Sequence, residues 1–339
     1  MTQTDDQPSA SPSPQEQVMG AFIGLLQGRC VVAAAELGLA DALAAGPLSV
    51  EALAAQIDAD ADNVFRLMRA LESIGIFKQV SPRVFENTPT SECLRKDVPG
   101  SQWAFLQIFA PGWGHWEGLS EMLPTLRTGK TALHEKWGHD SWEFYRRHPE
   151  QWPVFNEAMR SITAPMTPTI TAAYDWGRFS VIADIAGGIG TQLVDILDAH
   201  HGCRGVIFDL PEVVSSAIEH DRVERVAGDF FRDVPVEADA YILRNIIHDW
   251  NDEKSVSILK TLRTATKPTA RVMILEWVLP DTAEFHLGKW TDMVMMASVG
   301  GRERTGTDFE KLFSEAGFVL EEIVPTASMF SIVVARPKD

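Results

Sequence analysis

The sequence predicts an α/β protein in two parts: a carboxy-terminal, mostly parallel sheet with helices on both faces, and ahead of it a smaller, mainly helical domain of winged-helix pattern. Three observations carry this expectation. From about Phe179, short β-branched runs alternate with helical segments, the pattern of parallel strands joined by crossover helices. The first of these runs leads into a glycine-rich turn and then at once into a helical pattern. In the first hundred residues, two amphipathic helical patterns are followed by a hairpin.

Taken in order, residues 1–16 (MTQTDDQPSASPSPQE) are polar, acidic and Pro/Ser-rich, with neither a basic n-region nor an apolar h-region, and read as a disordered lead-in rather than a signal peptide. Gln17 to Leu43 reads as a helix apolar on most faces, with Val18, Phe22, Leu25, Leu26 and Val32 at helical spacing and Gly38 as a stop signal. A helix of this kind must be buried, and a second subunit is a natural cover. Ser49 is placed to cap a helix through Ile57, and Asp62 to cap another in which Val64, Leu67, Met68 and Leu71 recur until Gly75. Ile76–Val80 and Val84–Thr88, joined by Ser81-Pro82-Arg83, read as the hairpin. These elements make a domain of residues 17–100. A Trp/Phe/Met-rich helical connector follows over 101–178, and the sheet domain occupies 179–339. Within it strands are expected at Val181–Ile185, Gly205–Phe208, Arg222–Val226, Ala240–Leu243, Arg271–Leu275, Phe318–Val324 and Phe330–Ala335.

Charge narrows the function. The 339 residues carry 47 Asp+Glu against 30 Lys+Arg, a formal charge of -17. A nucleic-acid or anionic-membrane surface needs clustered cations, and neither half of the chain has them. Winged helices often bind DNA, yet Ser49 to Phe77 sets Glu51, Asp58, Asp60, Asp62 and Glu72 against Arg66 and Arg69 only, so the fold here is expected to serve dimer contacts. The longest stretch without charged residues, Val98 to Trp116, contains Pro99, Gly100, Pro111, Gly112 and Gly114, which suit a buried wall and not a membrane span. Cys30, Cys93 and Cys203 form no disulfide or zinc spacing, as expected of a cytoplasmic protein.

The chemistry is concentrated at the expected strand ends. The first strand closes in Asp184-Ile185-Ala186-Gly187-Gly188-Ile189-Gly190, where glycines let a ligand approach the backbone. Asp209, at the end of the second strand and 19 residues after Gly190, stands where a carboxylate accepts hydrogen bonds from ribose hydroxyls. The third ends in Gly228-Asp229-Phe230-Phe231, a carboxylate for a base amino group and an aromatic to lie on a base. The set fits an adenosine cofactor. Against a dinucleotide stands Leu193, where the full fingerprint wants a small residue, and no second mononucleotide unit follows. The fourth strand leads to His248 and the fifth to Glu276, so the two are candidates for a base and its orienting carboxylate. Gly300-Gly301-Arg302-Glu303-Arg304-Thr305 reads as a polar loop entering a helix, on which Asp308 is an N-terminal residue.

The ordered set LGLADAL, FNEAM (Phe155–Met159), DIAGGIG, FDLPEVV, GDFF, LRNIIHDWND, ILEWVLP and GGRERT followed by DFEKLFSEAGF resembles the S-adenosylmethionine-dependent O-methyltransferases of small phenolic molecules, from residue 17 to the end. The resemblance implies a Rossmann-like methyltransferase domain with a mostly parallel seven-stranded sheet, a winged-helix dimerisation domain, a homodimer, and S-adenosylmethionine as cofactor leaving as S-adenosylhomocysteine. It places Gly188 and Gly190 at the methionine part, Asp209 at the ribose, Asp229 and Phe230 at the adenine with Arg244 near it, and Trp250 on the ring, with Asp184, Gly187 and Leu210 also in the cofactor site. It makes His248 the general base, flanked and oriented by Glu276 and Asp308. Two departures stand out. Ala186 replaces the family's usual glycine, tolerable if φ there is negative, and Asp308 stands where relatives often carry Glu.

An activated methyl group needs only alignment and removal of the acceptor's proton, which a neutral imidazole can take from a phenol; no metal is called for. Trp103, Phe109, Trp113, Trp116, Phe155, Met159, Met293 and Met296 are candidates for the wall around a flat, apolar acceptor, with Asp292 as a polar contact or a helix-orienting group. Two alternatives keep the same cofactor: methylation of nitrogen or carbon, and non-methylating chemistry such as hydroxylation or ring formation. Retention of His248 with Glu276 favours oxygen methylation.

Overall fold

A computed structural model describes residues 12–339. The chain forms two compact units, one of residues up to Ala110 with Val154–Ser161, the other of Pro111–Pro153 with Ile162–Asp339. The connector expected over 101–178 is therefore divided between them. Of the lead-in expected over residues 1–16, the part up to residue 11 lies outside the described residues.

The first unit opens on a helix, Pro14–Glu36. It begins before Gln17 because Ser13 and Glu16 form a capping box and Pro14 takes the first turn, where its missing N–H costs nothing. Among the described residues it is the one helix long and apolar enough to cross a membrane by length and composition. Its C-terminal part supplies Val32, Ala34 and Ala35 to the core, whereas Val18, Met19, Phe22, Ile23, Leu25 and Leu26 are exposed. Burial of the whole helix, expected from its composition, is thus absent within one chain. Gly38 breaks the helix at φ +66. Ser49 caps Val50–Gln56 as expected, but the next helix, Ala61–Glu72, is capped by Asp60 and not Asp62, which lies within its first turn. Strands Phe77–Ser81 and Val84–Asn87 pair antiparallel, and Leu48–Ser49 adds a third strand to make the wing. Leu53, Val64, Met68, Leu71, Phe77 and Phe85 close the core.

The second unit is built on seven strands: β1 (Val181–Ile185), β2 (Arg204–Asp209), β3 (Val223–Ala227), β4 (Ala240–Arg244), β5 (Arg271–Glu276), β6 (Phe318–Pro325) and β7 (Ser331–Pro337), in the order β3-β2-β1-β4-β5-β7-β6. β7 runs antiparallel to both neighbours, while β3, β2, β1, β4 and β5 are parallel. Alternate side chains feed opposite faces: Ile185, Phe208, Leu243 and Ile274 enter one core, Ile182, Ile207, Ile242 and Leu275 the other. A sheet covered on both sides needs apolar residues at both parities, and that is why its strands read as continuous apolar runs. The chain order reverses at β1, so the crevice beyond the carboxyl ends of β1 and β4 is the natural ligand position.

Two helices outside the sheet, Gly114–Ser120 and Gly288–Ser298, cross at Gly118, where a Cβ would come 2.6 Å from the Ala297 carbonyl oxygen. The segment Val98–Trp116 folds as short helices and turns, in keeping with its prolines and glycines.

Candidate active site

The turn after β1 wraps Asp184. A Cβ on Gly187 would lie 2.6 Å from the Asp184 carboxyl carbon, and one on Gly190, at φ +85, 2.2 Å from Ile207, so this path requires glycine at both places. Asp184 is buried with Oδ1 accepting no hydrogen bond, and burial pushes its pKa up to about 7 despite the nearby Arg244. Ala186 sits at φ +56, so the expected negative φ is not met and its methyl group is held in the left-handed region. Asp209 accepts from the Gly188 N–H at 2.8 Å and its neighbour Leu210 at 2.7 Å, which ties the end of β2 to the glycine turn; its burial raises its pKa, and these bonds oppose the rise. Each carboxylate oxygen has a second lone pair for a further donor.

Beyond β3, Asp229 accepts from the Phe231 N–H, and Phe230 and Phe231 both meet Trp250 edge-on, at 6.3 and 4.9 Å between ring centres. Arg244, which the resemblance puts near the adenine, ends β4 with its side chain held by two threonines. Its guanidinium donates to the Thr163 carbonyl (2.5 Å) and the Thr167 hydroxyl (2.9 Å), leaves Nε unbonded, and is attracted to Asp184; burial lowers its pKa to about 10.

The candidate general base, His248, lies on the turn after β4. His248 Nδ1 is 3.0 Å from the carboxylate of Glu303, and Nε2 is 3.6 Å from Asp249. An Nδ1–H donated to Glu303 makes Nε2 the basic nitrogen. Burial alone would drive the proton off His248, but Asp249 and then Glu303, with Glu276 behind them, outweigh it and raise its pKa to about 10. Burial likewise pushes Asp249 to about 6 and Glu276 to about 7.

Glu276 does not touch the ring: its Oε1 accepts the backbone N–H groups of Ile246, Ile247 and His248 at 3.1, 2.7 and 3.1 Å, organising the turn. Asp308 is also elsewhere, completing a capping box with the N–H and hydroxyl of Thr305. The ring-bound carboxylate is Glu303, from the polar loop of residues 300–305. It is carried there by Arg304–Thr305, a short strand parallel to Val278–Leu279 just beyond β5. Asp292, a candidate acceptor contact, accepts the Glu303 N–H at 2.8 Å and so braces that carboxylate. Among the described residues, no three His, Cys, Asp or Glu side chains are grouped to hold a metal.

With this geometry in place, comparison with known proteins gives a consistent result. Residues 116–319 match the O-methyltransferase domain family and residues 20–97 the O-methyltransferase dimerisation domain. The chain belongs to the O-methyltransferase family. This O-methyltransferase is 38% identical to phenazine O-methyltransferase PhzM of Lysobacter antibioticus, over 90% of its own length and 91% of that protein. The solved structure of LaPhzM superposes with a TM-score of 0.89 at 36% identity, covering 96% and 100% of the two chains. NcsB1, an O-methyltransferase from neocarzinostatin biosynthesis solved with S-adenosylmethionine and 2-hydroxy-5-methyl naphthoic acid, is 29% identical, with a TM-score of 0.81 over 91% of this chain and 95% of that one.

The acceptor-wall candidates of this O-methyltransferase are all half-buried. In the second unit, Trp113 and Trp116 lie on or next to the Gly114–Ser120 helix and Met293 and Met296 on its crossing partner. Phe109, Phe155, Met159 and Trp103 belong to the first unit. There Trp103 is engaged by its own scaffold: its indole N–H donates to the Ala35 carbonyl and Lys96 covers its ring.

Proposed function

We propose that the chain transfers a methyl group from S-adenosylmethionine to a phenolic hydroxyl of a flat, largely apolar natural product, with His248 as general base. The observation that carries this reading is the imidazole beside the ligand edge of the sheet, anchored through Nδ1 by Glu303. The crevice also suits the cofactor. Asp184 Oδ1 and Arg244 Nε are buried, opposite in charge and without hydrogen-bond partners, a fit for the ammonium and carboxylate of an amino acid. Asp209 would hold ribose hydroxyls, and Asp229, Phe230 and Trp250 the adenine.

The bound cofactor supplies a methyl group already activated on a sulfonium, so the reading includes no metal. His248 takes the acceptor's proton on Nε2, and Glu303 stabilises the imidazolium that results. Trp113, Trp116, Met293 and Met296 offer flat and polarizable surface for an aromatic ring. Mass spectrometry of reactions with 2-hydroxy-5-methyl naphthoic acid and a panel of hydroxyphenazines tests the reading. Its expected result is a product heavier by one methyl-for-hydrogen exchange, with S-adenosylhomocysteine in equal amount; cofactor binding with no methylated product from any phenol would refute it.

Only neutral imidazole is a base, so activity should climb as pH rises through the His248 pKa and then level off. The positive sulfonium of the bound cofactor, beside the methyl group whose acceptor the base must reach, disfavours a second positive charge on His248 and so lowers its pKa. The midpoint for kcat is accordingly expected below that for kcat/KM, which reports the free protein.

The reading includes a cytoplasmic homodimer that binds neither nucleic acid nor membrane, supported by three free thiols and by the exposed face of Pro14–Glu36. In the wing, Arg83 is paired with Glu51 and Asp62. Placing glutamate at both Phe22 and Leu26 should yield a monomer in sedimentation velocity; a dimer unchanged by the two charges would exclude this helix from the interface.

A further inference from the structure

Arg304 is charged yet only 1% exposed. One terminal nitrogen of its guanidinium donates to the Ile247 carbonyl at 2.9 Å and the Arg302 carbonyl at 3.3 Å. The other donates to the Trp250 carbonyl (2.9 Å), the Asp252 carboxylate (2.9 Å) and the Ser255 hydroxyl (3.1 Å), and Nε reaches the same Asp252 oxygen at 3.2 Å. Ile247 and Trp250 bracket His248 and Asp249. The residue before Arg304 is Glu303, whose carboxylate holds the His248 ring. One side chain therefore grips the backbone on both sides of the imidazole while its chain neighbour grips the imidazole itself.

Other contacts close the same seam. The Arg302 N–H donates to the His248 carbonyl at 2.8 Å, and a Cβ on Gly301 would lie 1.9 Å from that carbonyl oxygen. Desolvating a cation is costly, and an aliphatic residue would fill the space without that cost, so a planar five-donor group is explained by what it spans.

We propose that Arg304 is a positioning residue: it fixes the Glu303 carboxylate against His248 by clamping together the two loops that carry them. The proposal rests on the reading of His248 as the base. The charged groups around the imidazole are Asp249 on its own turn, Glu303 from the facing loop, and Glu276 from the end of β5. Asp292 of the Gly288–Ser298 helix lies behind Glu303, and Arg302, Arg304 and Asp252 lie behind the turn.

Arg304→Lys keeps the charge but cannot span both carbonyls, Asp252 and Ser255, so any change in His248 titration reports geometry and not lost charge. The His248 signal in an NMR titration, assigned by its loss in His248→Gln, should move its midpoint down by about one pH unit as Glu303 drifts off the ring, with S-adenosylmethionine affinity within about twofold of the parent. Gly301→Ala, which separates the same loops without altering charge, should act in the same direction. An unmoved midpoint in either folded variant overturns the proposal. So does failure of both variants to accumulate as cofactor-binding protein, which makes the role structural. Undiminished methyl transfer by His248→Gln would instead sink the base reading and leave the titration result standing.

Discussion

His248→Gln should lower methyl transfer by about 10²- to 10⁴-fold, the usual contribution of a positioned general base, while S-adenosylmethionine binds within about twofold of the parent affinity. Glutamine has comparable reach and its amide can still meet Glu303, but it takes up no proton in the working pH range. The cofactor contacts assigned to Asp184, Asp209 and Asp229 lie on other strand ends, so their geometry should survive. The substitution also leaves Glu303, Asp249 and Glu276 without their cation. A lower melting temperature is therefore expected even though the cofactor still binds, because removing one partner of a buried charged group exposes the cost of the rest. Calorimetric titration with the cofactor, beside a turnover assay, separates the two effects. Parental turnover in the variant would remove His248 from the proton path.

Asp209→Ala should weaken S-adenosylmethionine binding by about ten- to a hundredfold, since each hydrogen bond to a charged group is worth roughly 1.5–3 kcal/mol. The carboxylate is the expected partner of the ribose hydroxyls. It also accepts the Gly188 N–H at 2.8 Å, so its removal loosens the glycine turn as well as the contact. Asp209→Asn keeps one acceptor oxygen and should fall between the two. A dissociation constant unchanged in the alanine variant would place the ribose elsewhere.

Much of this was legible in the sequence because it is local. Strand β1, the glycines after it and Asp209 at the end of β2 follow from apolar runs, turn chemistry and a fixed distance along the chain. Asp308 was legible too, but as a helix residue: three positions after Thr305 it closes a capping box, and that local bond outcompetes a reach to His248. The assignment of Glu276 and Asp308 to the ring, and the omission of Glu303, share one cause. Glu276 organises the turn's backbone from the end of β5 and Asp308 is committed to its helix cap, while the pairing of Arg304 with Val278 brings Glu303 onto the ring. Sequence spacing carries no such information. The only hint was a glutamate between two arginines in a loop otherwise made for turning, and its meaning depended on one of those arginines being buried.

The alanine at position 186 closes on a different quantity, the disorder a loop must lose. Holding a left-handed backbone costs a non-glycine residue roughly 1 kcal/mol, so a glycine would be easier to bend there. The same methyl group denies the chain most of the conformations a glycine would sample, and so reduces the entropy surrendered when the turn is set. Its N–H is already fixed on the Phe208 carbonyl at 2.7 Å. The cofactor proposed for this turn would thus meet a loop with part of the ordering done during folding, leaving less to be deducted from the free energy of binding.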